Sequence, residues 1–531
     1  MKNKVYIYDT TLRDGAQGVK ISYSLEDKLV ITKKLDELGV DYIEGGWPNK
    51  SNVKTIEYFK RVKELDLKNS KIAAFGSTRS PLNKVEDDPT LSSLLEAETP
   101  VLTIFGKTWD LHVTKVLKTS LEENLVMIED SVSYLKKHNK EVIFIAEHFF
   151  DGYKYNPDYT LKCLLAAEKA SADSIVLADT NGGTTVDEIH DITKEIYKTI
   201  KIPLGIHSHN DMELAVANSL AAVKNGFTQI QGTMNGFGER CGNANLTTII
   251  PILSLKMNFQ TIPDASLCKL TENARFIYDI ANIPPNENQP FIGQNAFSHK
   301  AGVHANAIIK ESTSYEFINP MKVGNSRNIL VSEQAGVSSL VYKAKELGIT
   351  LEKDDTKTRD LLFKLKELEN EGYEFESADA SLKLFLMKQL FPYKQYFDLV
   401  DFRVIVETKH LEIFSDATIK IKVKGVLEHT AAEGNGPVNA LDNALKKALC
   451  KFYPSIGENH LIDYKVRVIE GTSGTSAKVK VFIETKDLKE VWTTVGVSEN
   501  IIKASWIALV DSVEYKLLRD EQELKDIASS K

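Results

Sequence analysis

Ile202-Pro203-Leu204-Gly205-Ile206-His207-Ser208-His209-Asn210-Asp211 is a short apolar run that ends in two histidines one residue apart. Strand side chains alternate between faces, so His207 and His209 point the same way and both rings can reach one ion. A bare His-x-His more often closes a strand as two ordinary polar residues than it binds a metal, so its surroundings must decide. The run is one of eight. Similar β-rich runs span Val5 to Asp9, Tyr42 to Gly46, Lys71 to Gly76, Val101 to Gly106, Val142 to Glu147, Ser174 to Asp179 and Gln229 to Thr233, with Ile202 to His209 seventh in order. Between them lie stretches with apolar residues at three- and four-residue spacing, such as Glu26 to Leu38, Leu121 to Lys137, Asp158 to Ala170, Thr185 to Tyr197 and Leu214 to Asn225, which read as helices. Eight strand-helix units in roughly 250 residues predict an α/β fold, a (β/α)8 TIM barrel rather than an open sheet. Active sites of such barrels gather at the C-terminal ends of the strands. Asp14, Glu44, Glu147, Asp179, His207, His209 and Asn235 all fall at or just beyond those ends.

Composition narrows the chemistry. A chain of 531 residues, 42% hydrophobic, can bury a large core and has room for more than one domain. Its net charge of -8 argues against a nucleic-acid or anionic-membrane surface, each of which needs a basic field. The N-terminus turns acidic too early for a signal peptide, and no apolar run reaches membrane-spanning length, so a cytoplasmic enzyme of small molecules is expected. Cys163, Cys241, Cys268 and Cys450 show no CxxC pairing and read as reduced structural thiols.

The first strand delivers Asp9-Thr10-Thr11-Leu12-Arg13-Asp14-Gly15. Asp14 offers a hard oxygen to a divalent cation, and two imidazoles with one carboxylate leave positions open for a substrate oxygen. Arg13 supplies a fixed cation for a developing oxyanion. After the eighth strand, residues 232–245 are rich in glycine and amides, as a tight loop requires.

DTTLRDG at 9–15, HSHND at 207–211 and NGFGERCGNANL at 235–246 together resemble the 2-isopropylmalate, homocitrate and citramalate synthase family, the DRE-TIM metallolyases. These are metal-dependent barrels that condense acetyl-CoA with a 2-oxo acid. The resemblance implies that Asp14, His207, His209 and Asn243 hold a divalent ion, whether Mn, Mg or Zn. It implies further that Arg13 polarises the keto oxygen, that Thr180 holds the substrate carboxylate, and that Glu147 is the catalytic carboxylate. Either Glu147 itself, or a water or histidine beside it, could take the methyl proton of acetyl-CoA. Strand five continues as Ala146-Glu147-His148-Phe149-Phe150-Asp151-Gly152-Tyr153-Lys154-Tyr155-Asn156-Pro157, which resembles the citramalate-forming branch, whose acceptor is pyruvate. Isopropylmalate-forming members typically carry Ser-x-Glu-Asp-Ala there. Gly45-Gly46-Trp47-Pro48 resembles the same branch, although Asn49-Lys50-Ser51-Asn52 departs from its usual Gly-Ser-Asn-Pro continuation. Pyruvate presents only a methyl, so its pocket has to be closed by bulk, for which Ile145, Phe149 and Trp47 are candidates. A 2-isopropylmalate synthase using 2-oxoisovalerate, a lyase of related fold acting on hydroxymethylglutaryl-CoA, and a noncatalytic amino-acid sensor are the alternatives. The intact Arg13, Asp14, His207 and His209 set speaks against the last.

Three regions are expected: the barrel over 1–280, a mostly helical linker over 281–397, and an α+β C-terminal domain over 398–531. Pro284 to Pro290 is a turn-rich bridge. Phe297 to Asn306 resembles the family's subdomain that closes over the barrel mouth, within which His304, and Tyr315 nearby, match residues that assist catalysis. Val331 to Gly336 also resembles the family, and Glu352 to Glu371 reads as a charged helix with a solvated face. The C-terminal part reads as an approximate βββα repeat, with strands at Arg403 to Thr408 and Ala417 to Lys424 before a helix Val438 to Phe452, then strands at Lys465 to Ile469, Lys478 to Glu484 and Val491 to Val497 before a helix Glu499 to Leu518. A proline start at Pro437 and a serine cap at Ser498 would open the two helices. This region resembles the family's regulatory domain, which binds the end-product amino acid at a dimer interface. A homodimer inhibited by isoleucine follows from that resemblance.

Overall fold

A computed structural model describes residues 3–331, 336–409, 412–469 and 477–529. Within it the chain divides into two compact units, Met1–Phe297 with Ile318–Arg327, and Ser298–Phe317 with Asn328–Lys531.

In the first unit, strands β1 (Tyr6–Asp9), β2 (Tyr42–Gly46), β3 (Lys71–Ser77), β4 (Val101–Lys107), β5 (Glu141–Glu147), β6 (Ser174–Asp179), β7 (Leu204–Ser208) and β8 (Gln229–Gly232) close a parallel barrel in chain order. Closure is made by β1 pairing β8, with Tyr6 opposite Gln229 and Asp9 opposite Gly232. Alternation along each strand sorts the side chains into two cores. Tyr8, Val101, Ile143, Ile145 and Val176 fill the barrel interior. Their neighbours Ile7, Leu102, Val142, Phe144 and Ile175 point outward into a larger core shared with the surrounding helices.

Those helices are α1 (Leu25–Leu38), α2 (Val53–Arg61), α3 (Pro89–Glu96), α4 (Leu121–Lys137), α5 (Phe149–Tyr155), α6 (Pro157–Lys169), α7 (Val186–Thr199), α8 (Ala215–Lys224), α9 (Leu246–Leu255) and α10 (Leu270–Ala281). Local chemistry fixes their ends. Ser24 with Asp27 and Thr185 with Glu188 form capping boxes at the starts of α1 and α7, and Asn156 caps α6 with Pro157 in its first turn. The strand expected from Ile202 to His209 is shorter, because Pro203 has no N–H to give a ladder and regular pairing begins at Leu204. His209 lies one residue beyond β7, in a single bridge to Asn243.

In the second unit, β9 (Ser298–His299) pairs β10 (Asn328–Ile329), and the helices are α11 (Gly302–Lys310), α12 (Val337–Glu346), α13 (Thr356–Asn370) and α14 (Asp379–Leu390). The stretch read as a solvated helix is half right: α13 is charged, but Leu361 and Leu365 on one face are buried in a core with Leu340, Leu382 and Leu386. Of the segment 331–336, residues 332–335 lie outside the described residues.

Two antiparallel sheets follow, β11 (Phe397–Lys409), β12 (Glu412–Val423) and β13 (Val426–Gly434) before α15 (Pro437–Leu449), then β14 (His460–Val468), β15 (Val479–Lys486) and β16 (Val491–Ser498) before α16 (Ile501–Ser529). The repeat is therefore a true βββα, including β13, whose weak alternation with Thr430 alone buried gave no readable strand signal. Ile419 and Ile421 of β12, Val481 and Ile483 of β15, and the inner faces of α15 and α16 make one core. Pro437 opens α15 as expected. At α16 the cap is Asn500, whose Oδ1 accepts from the backbone N–H groups of Ile502 and Lys503, whereas Ser498 Oγ only accepts from Asn500 N. Among the described residues no helix is long and apolar enough to cross a membrane.

Candidate active site

The C-terminal end of the barrel opens on a cavity of about 500 Å³. Asp14, His207 and His209 meet in its floor, all buried, with ligand atoms within 4.8 Å of one another. His207 Nε2 lies 3.4 Å and His209 Nε2 4.0 Å from Asp14 Oδ2. Each element brings its group for a local reason. The turn after β1 is tied by Thr11, whose N–H and hydroxyl both donate to Asp9 at 2.9 Å. His207 Nδ1 faces Gln231 Oε1 at 3.2 Å across the β7–β8 pair, which orients the ring with Nε2 toward Asp14 and the cavity. The loop after β8 folds back on the end of β7: Ala244 N donates to Ser208 O and Asn210 N to Gly242 O, both at 2.9 Å, and this sets Asn243 beside His209. Gly238 allows it. A Cβ there would stand 2.1 Å from Asn243 Nδ2.

The electrostatics suit a cation. Burial would raise the Asp14 carboxyl, but the Arg13 guanidinium and a hydrogen bond from His207 outweigh it and hold the group well below the usual carboxylate range. Burial, then the charge of His207, pulls His209 down to about 4, so its ring is a neutral ligand at physiological pH. Three buried atoms in this cluster have no hydrogen-bond partner among the described residues: Asp14 Oδ1, His209 Nδ1 and Asn243 Oδ1. Two of these are carboxylate and amide oxygens next to two imidazoles, a donor set that fits a divalent ion.

Arg13 is locked from three sides. Its Nε donates to Glu44, its Nη1 donates to Asp14 Oδ2 at 3.1 Å, and its guanidinium lies 3.8 Å from the centre of the Phe75 ring. Burial disfavours its charge, but the carboxylates of Glu44 and Asp14 more than restore it. Glu44, fully buried, also accepts from Tyr8 Oη and Thr10 Oγ1, each at 2.6 Å. Glu44 stands out in the sequence only as a polar residue at a strand end; its function as the anchor of Arg13 depends on partners from β1 and the turn after it that no local pattern reveals.

Glu147 and Thr180 line the same cavity. Glu147 is ion-paired with Lys107 at the end of β4. Thr180 Oγ1 accepts from His148 N at 2.8 Å, which leaves its hydroxyl proton directed elsewhere. Arg240 ties the loops together: it makes a two-pronged pair with Asp211 at 2.7 and 2.9 Å and donates to Thr180 O at 2.8 Å. One wall is apolar. Trp47 meets Phe75 and Phe105 edge-on at 5.7 and 5.6 Å, and Ile145 completes the patch. Phe75 and Phe105 escaped the sequence reading, although both stand on the inward phase of β3 and β4 near the strand ends.

Phe149 is a correction. It is fully buried in the layer between barrel and helices, packed on Phe150 and Tyr153, and does not line the cavity. His148 takes a left-handed conformation, φ 55°, and that turn carries the chain outward. Asn235 is structural on its amide side, donating to Ala274 O at 2.9 Å. His304 and Tyr315 belong to the second unit, where both are exposed and their rings stack at 4.3 Å.

The relationships of the chain agree with this geometry. Residues 4–277 match the HMGL-like family, which is more than half of the chain. Over 98% of its length the chain is 56% identical to an (R)-citramalate synthase of Aquifex aeolicus, covering 99% of that protein. The chain belongs to the citramalate synthase family. An (R)-citramalate synthase of Geobacter sulfurreducens is 54% identical with 98% of both chains covered, while a 2-isopropylmalate synthase of Methanocaldococcus jannaschii is 32% identical over 98% of this chain and 96% of its own. Residues 291–372 match the homocitrate synthase post-HMGL domain-like family, and 376–517 the LeuA allosteric (dimerisation) domain.

Proposed function

We propose that this protein condenses acetyl-CoA with pyruvate and water to form (R)-citramalate and CoA. The observation that carries the reading is the buried Asp14, His207 and His209 cluster beside a locked Arg13 and under an apolar wall. Asp14, His207, His209 and Asn243 would hold a divalent ion, Mn, Mg or Zn, which when bound supplies Lewis-acid polarisation of the keto acid. Arg13 is a fixed cation for the alkoxide that forms at the keto carbon, and because Glu44 and Asp14 already orient it, little reorganisation is needed during reaction. The Thr180 hydroxyl proton, not engaged by His148, is the donor proposed for the acceptor's carboxylate. Glu147, directly or through a water, is the carboxylate proposed to take the methyl proton of acetyl-CoA, with His304 and Tyr315 assisting. Trp47, Phe75, Phe105 and Ile145 leave room for a methyl group. Their bulk would disfavour an isopropyl group, a discrimination worth about 1–3 kcal/mol per methylene-sized change.

The reading extends to the rest of the chain: a catalytic barrel over 1–280, a linker over 281–397, and a regulatory region over 398–531 that makes a homodimer and binds isoleucine as inhibitor, in a cytoplasmic branched-chain pathway. The match of 376–517 to an allosteric dimerisation domain supports this. The test is CoA release by purified protein with acetyl-CoA, a divalent metal and either pyruvate, 2-oxoisovalerate or 2-oxoglutarate. Pyruvate should be preferred; preference for 2-oxoisovalerate refutes the acceptor assignment, and no release with any acid refutes the enzyme.

A further inference from the structure

One charge in the cavity is unanswered. Lys28, in the first turn of α1, is only 7% exposed, yet its side chain forms part of the cavity lining. Its Nζ donates to Gly45 O, the carbonyl near the end of β2, at 3.0 Å, and lies 5.5 Å from the Tyr58 ring centre. An ammonium has three donors, and this accounts for one. Among the described residues no carboxylate is paired with it; the charged group that acts on it is another cation, Lys54, whose own Nζ donates to Tyr23 O at 2.7 Å. Burial first, and then Lys54, draws the Lys28 pKa down to about 8.

Burying an ammonium without a counter-charge is unfavourable, and capping a strand carbonyl does not require one, since a neutral amide or hydroxyl would serve. The surroundings favour an incoming anion. The Thr55 and Lys28 side chains come together beside Gly46, where an atom at the Cβ position would meet Thr55 Cγ2 at 2.9 Å, Thr55 Oγ1 at 3.4 Å and Lys28 Nζ at 3.5 Å, and all three residues line the cavity. They stand at the N-terminus of α2, nine residues long, whose Asn52 cap accepts from Thr55 N and also lines the cavity; the helix dipole adds partial positive charge there.

We infer that Lys28, Thr55 and the N-terminus of α2 form an anion-binding subsite of the cavity, which receives an oxyanion of a reactant. The source is a carboxylate of the keto acid or its product, or a phosphate of CoA. The inference rests on the cavity being the site of acyl transfer.

The experiment compares wild type, Lys28→Gln and Lys28→Arg in steady-state turnover with pyruvate and either acetyl-CoA or acetyl-pantetheine, which carries the same thioester without phosphates. Losing a charge-assisted hydrogen bond should raise one KM by about tenfold or more, with Lys28→Arg recovering most of the loss. A rise for acetyl-CoA but not acetyl-pantetheine identifies a phosphate. A rise for pyruvate with both thioesters, or weaker inhibition by citramalate, identifies a carboxylate. Unchanged KM values together with unchanged product inhibition overturn the subsite. Thermal shifts separate this outcome from failure of the catalytic reading: CoA or citramalate should raise the melting temperature of wild type and raise that of Lys28→Gln less, whether or not CoA is released. Equal shifts for both proteins count against the subsite. Should Lys28→Gln not fold, Thr55→Val, which removes the hydroxyl and keeps the ammonium, carries the same comparison, with a smaller rise expected and an unchanged KM refuting.

Discussion

Replacing Glu44 by glutamine isolates the charge that holds Arg13. The carboxylate accepts from Tyr8 Oη on one oxygen and from Thr10 Oγ1 and Arg13 Nε on the other. A glutamine can copy this arrangement. Its carbonyl takes the Thr10 and Arg13 side, and its NH2 faces Tyr8, whose hydroxyl can accept from it and turn its own proton to Thr103 Oγ1, 2.8 Å away. The three donors that Glu44 satisfies all keep an acceptor, so the chief loss is the negative charge beside a guanidinium that is 15% exposed. Asp14 remains as its second partner. Hydrogen bonds to charged groups are worth about 1.5–3 kcal/mol, and that range is the expected loss of stability. Glu44→Leu deprives all three donors and should cost about 3–5 kcal/mol, as breaking a buried pair does. Turnover should fall by about 100-fold, equivalent to about 2.7 kcal/mol of barrier, because without the Glu44 charge the guanidinium is less firmly held where the alkoxide develops. Urea unfolding gives the first quantity and kcat/KM for the keto acid the second. A Glu44→Gln protein within ~0.5 kcal/mol and twofold of wild type would refute the claim that this carboxylate orients Arg13.

Three other substitutions probe the rest of the site. Gly238→Ala puts a Cβ 2.1 Å from Asn243 Nδ2 at a backbone φ of 151°, so Asn243 must move; the metal concentration for half activity should rise by about 10–100-fold, and an unchanged metal requirement in a folded variant removes Asn243 from the ligand set. Arg240→Ala releases Asp211 and the Thr180 carbonyl together and should raise KM for the keto acid about tenfold more than it lowers kcat, with Arg240→Lys a poor substitute for a two-pronged pair; loss confined to kcat would contradict the clamp. Burial lifts the Asp9 carboxyl from 3.8 to about 7, against the pull of Thr11, so folding takes up a proton between those values and Asp9 makes stability decrease as pH rises through that window. Asp9→Asn should flatten the decline in urea midpoint across it, and parallel pH profiles for the two proteins would show that Asp9 does not titrate there.

The barrel was legible because its strands are regular at the scale that sequence records. Short apolar runs such as Val142 to Ala146 recur between helix-like stretches, and that rhythm needs no knowledge of neighbours, although which of Val142, Ile143, Phe144 and Ile145 face inward is not written in a wholly apolar run. His207 and His209 could be paired for the same reason, and Asp14 through its place after β1. What could not be read depends on contacts between elements. Glu44 acquires its importance from Arg13, Tyr8 and Thr10, on another strand and its following turn. Phe75 and Phe105 line the cavity as a stacked pair from neighbouring strands β3 and β4, whereas Phe149, two residues after the conspicuous Glu147, is drawn away by a left-handed His148. In the C-terminal region β13 buries too few side chains to mark itself, and α13 hides a two-leucine face within a charged sequence.

The ligands proposed for the ion come from β1, from β7 and from the loop after β8, which straddle the junction where the last strand of the barrel joins the first. A growing polypeptide therefore owns no complete site until residue 243 has been made and the ring has shut. Metal affinity and ring closure then share one free energy: every kcal/mol by which the ion favours the assembled donors is also a kcal/mol against opening the seam between β8 and β1. The ion would act as a clasp as well as a Lewis acid, and a chelator should loosen that seam before it disturbs the strands on the far side, β3 to β5.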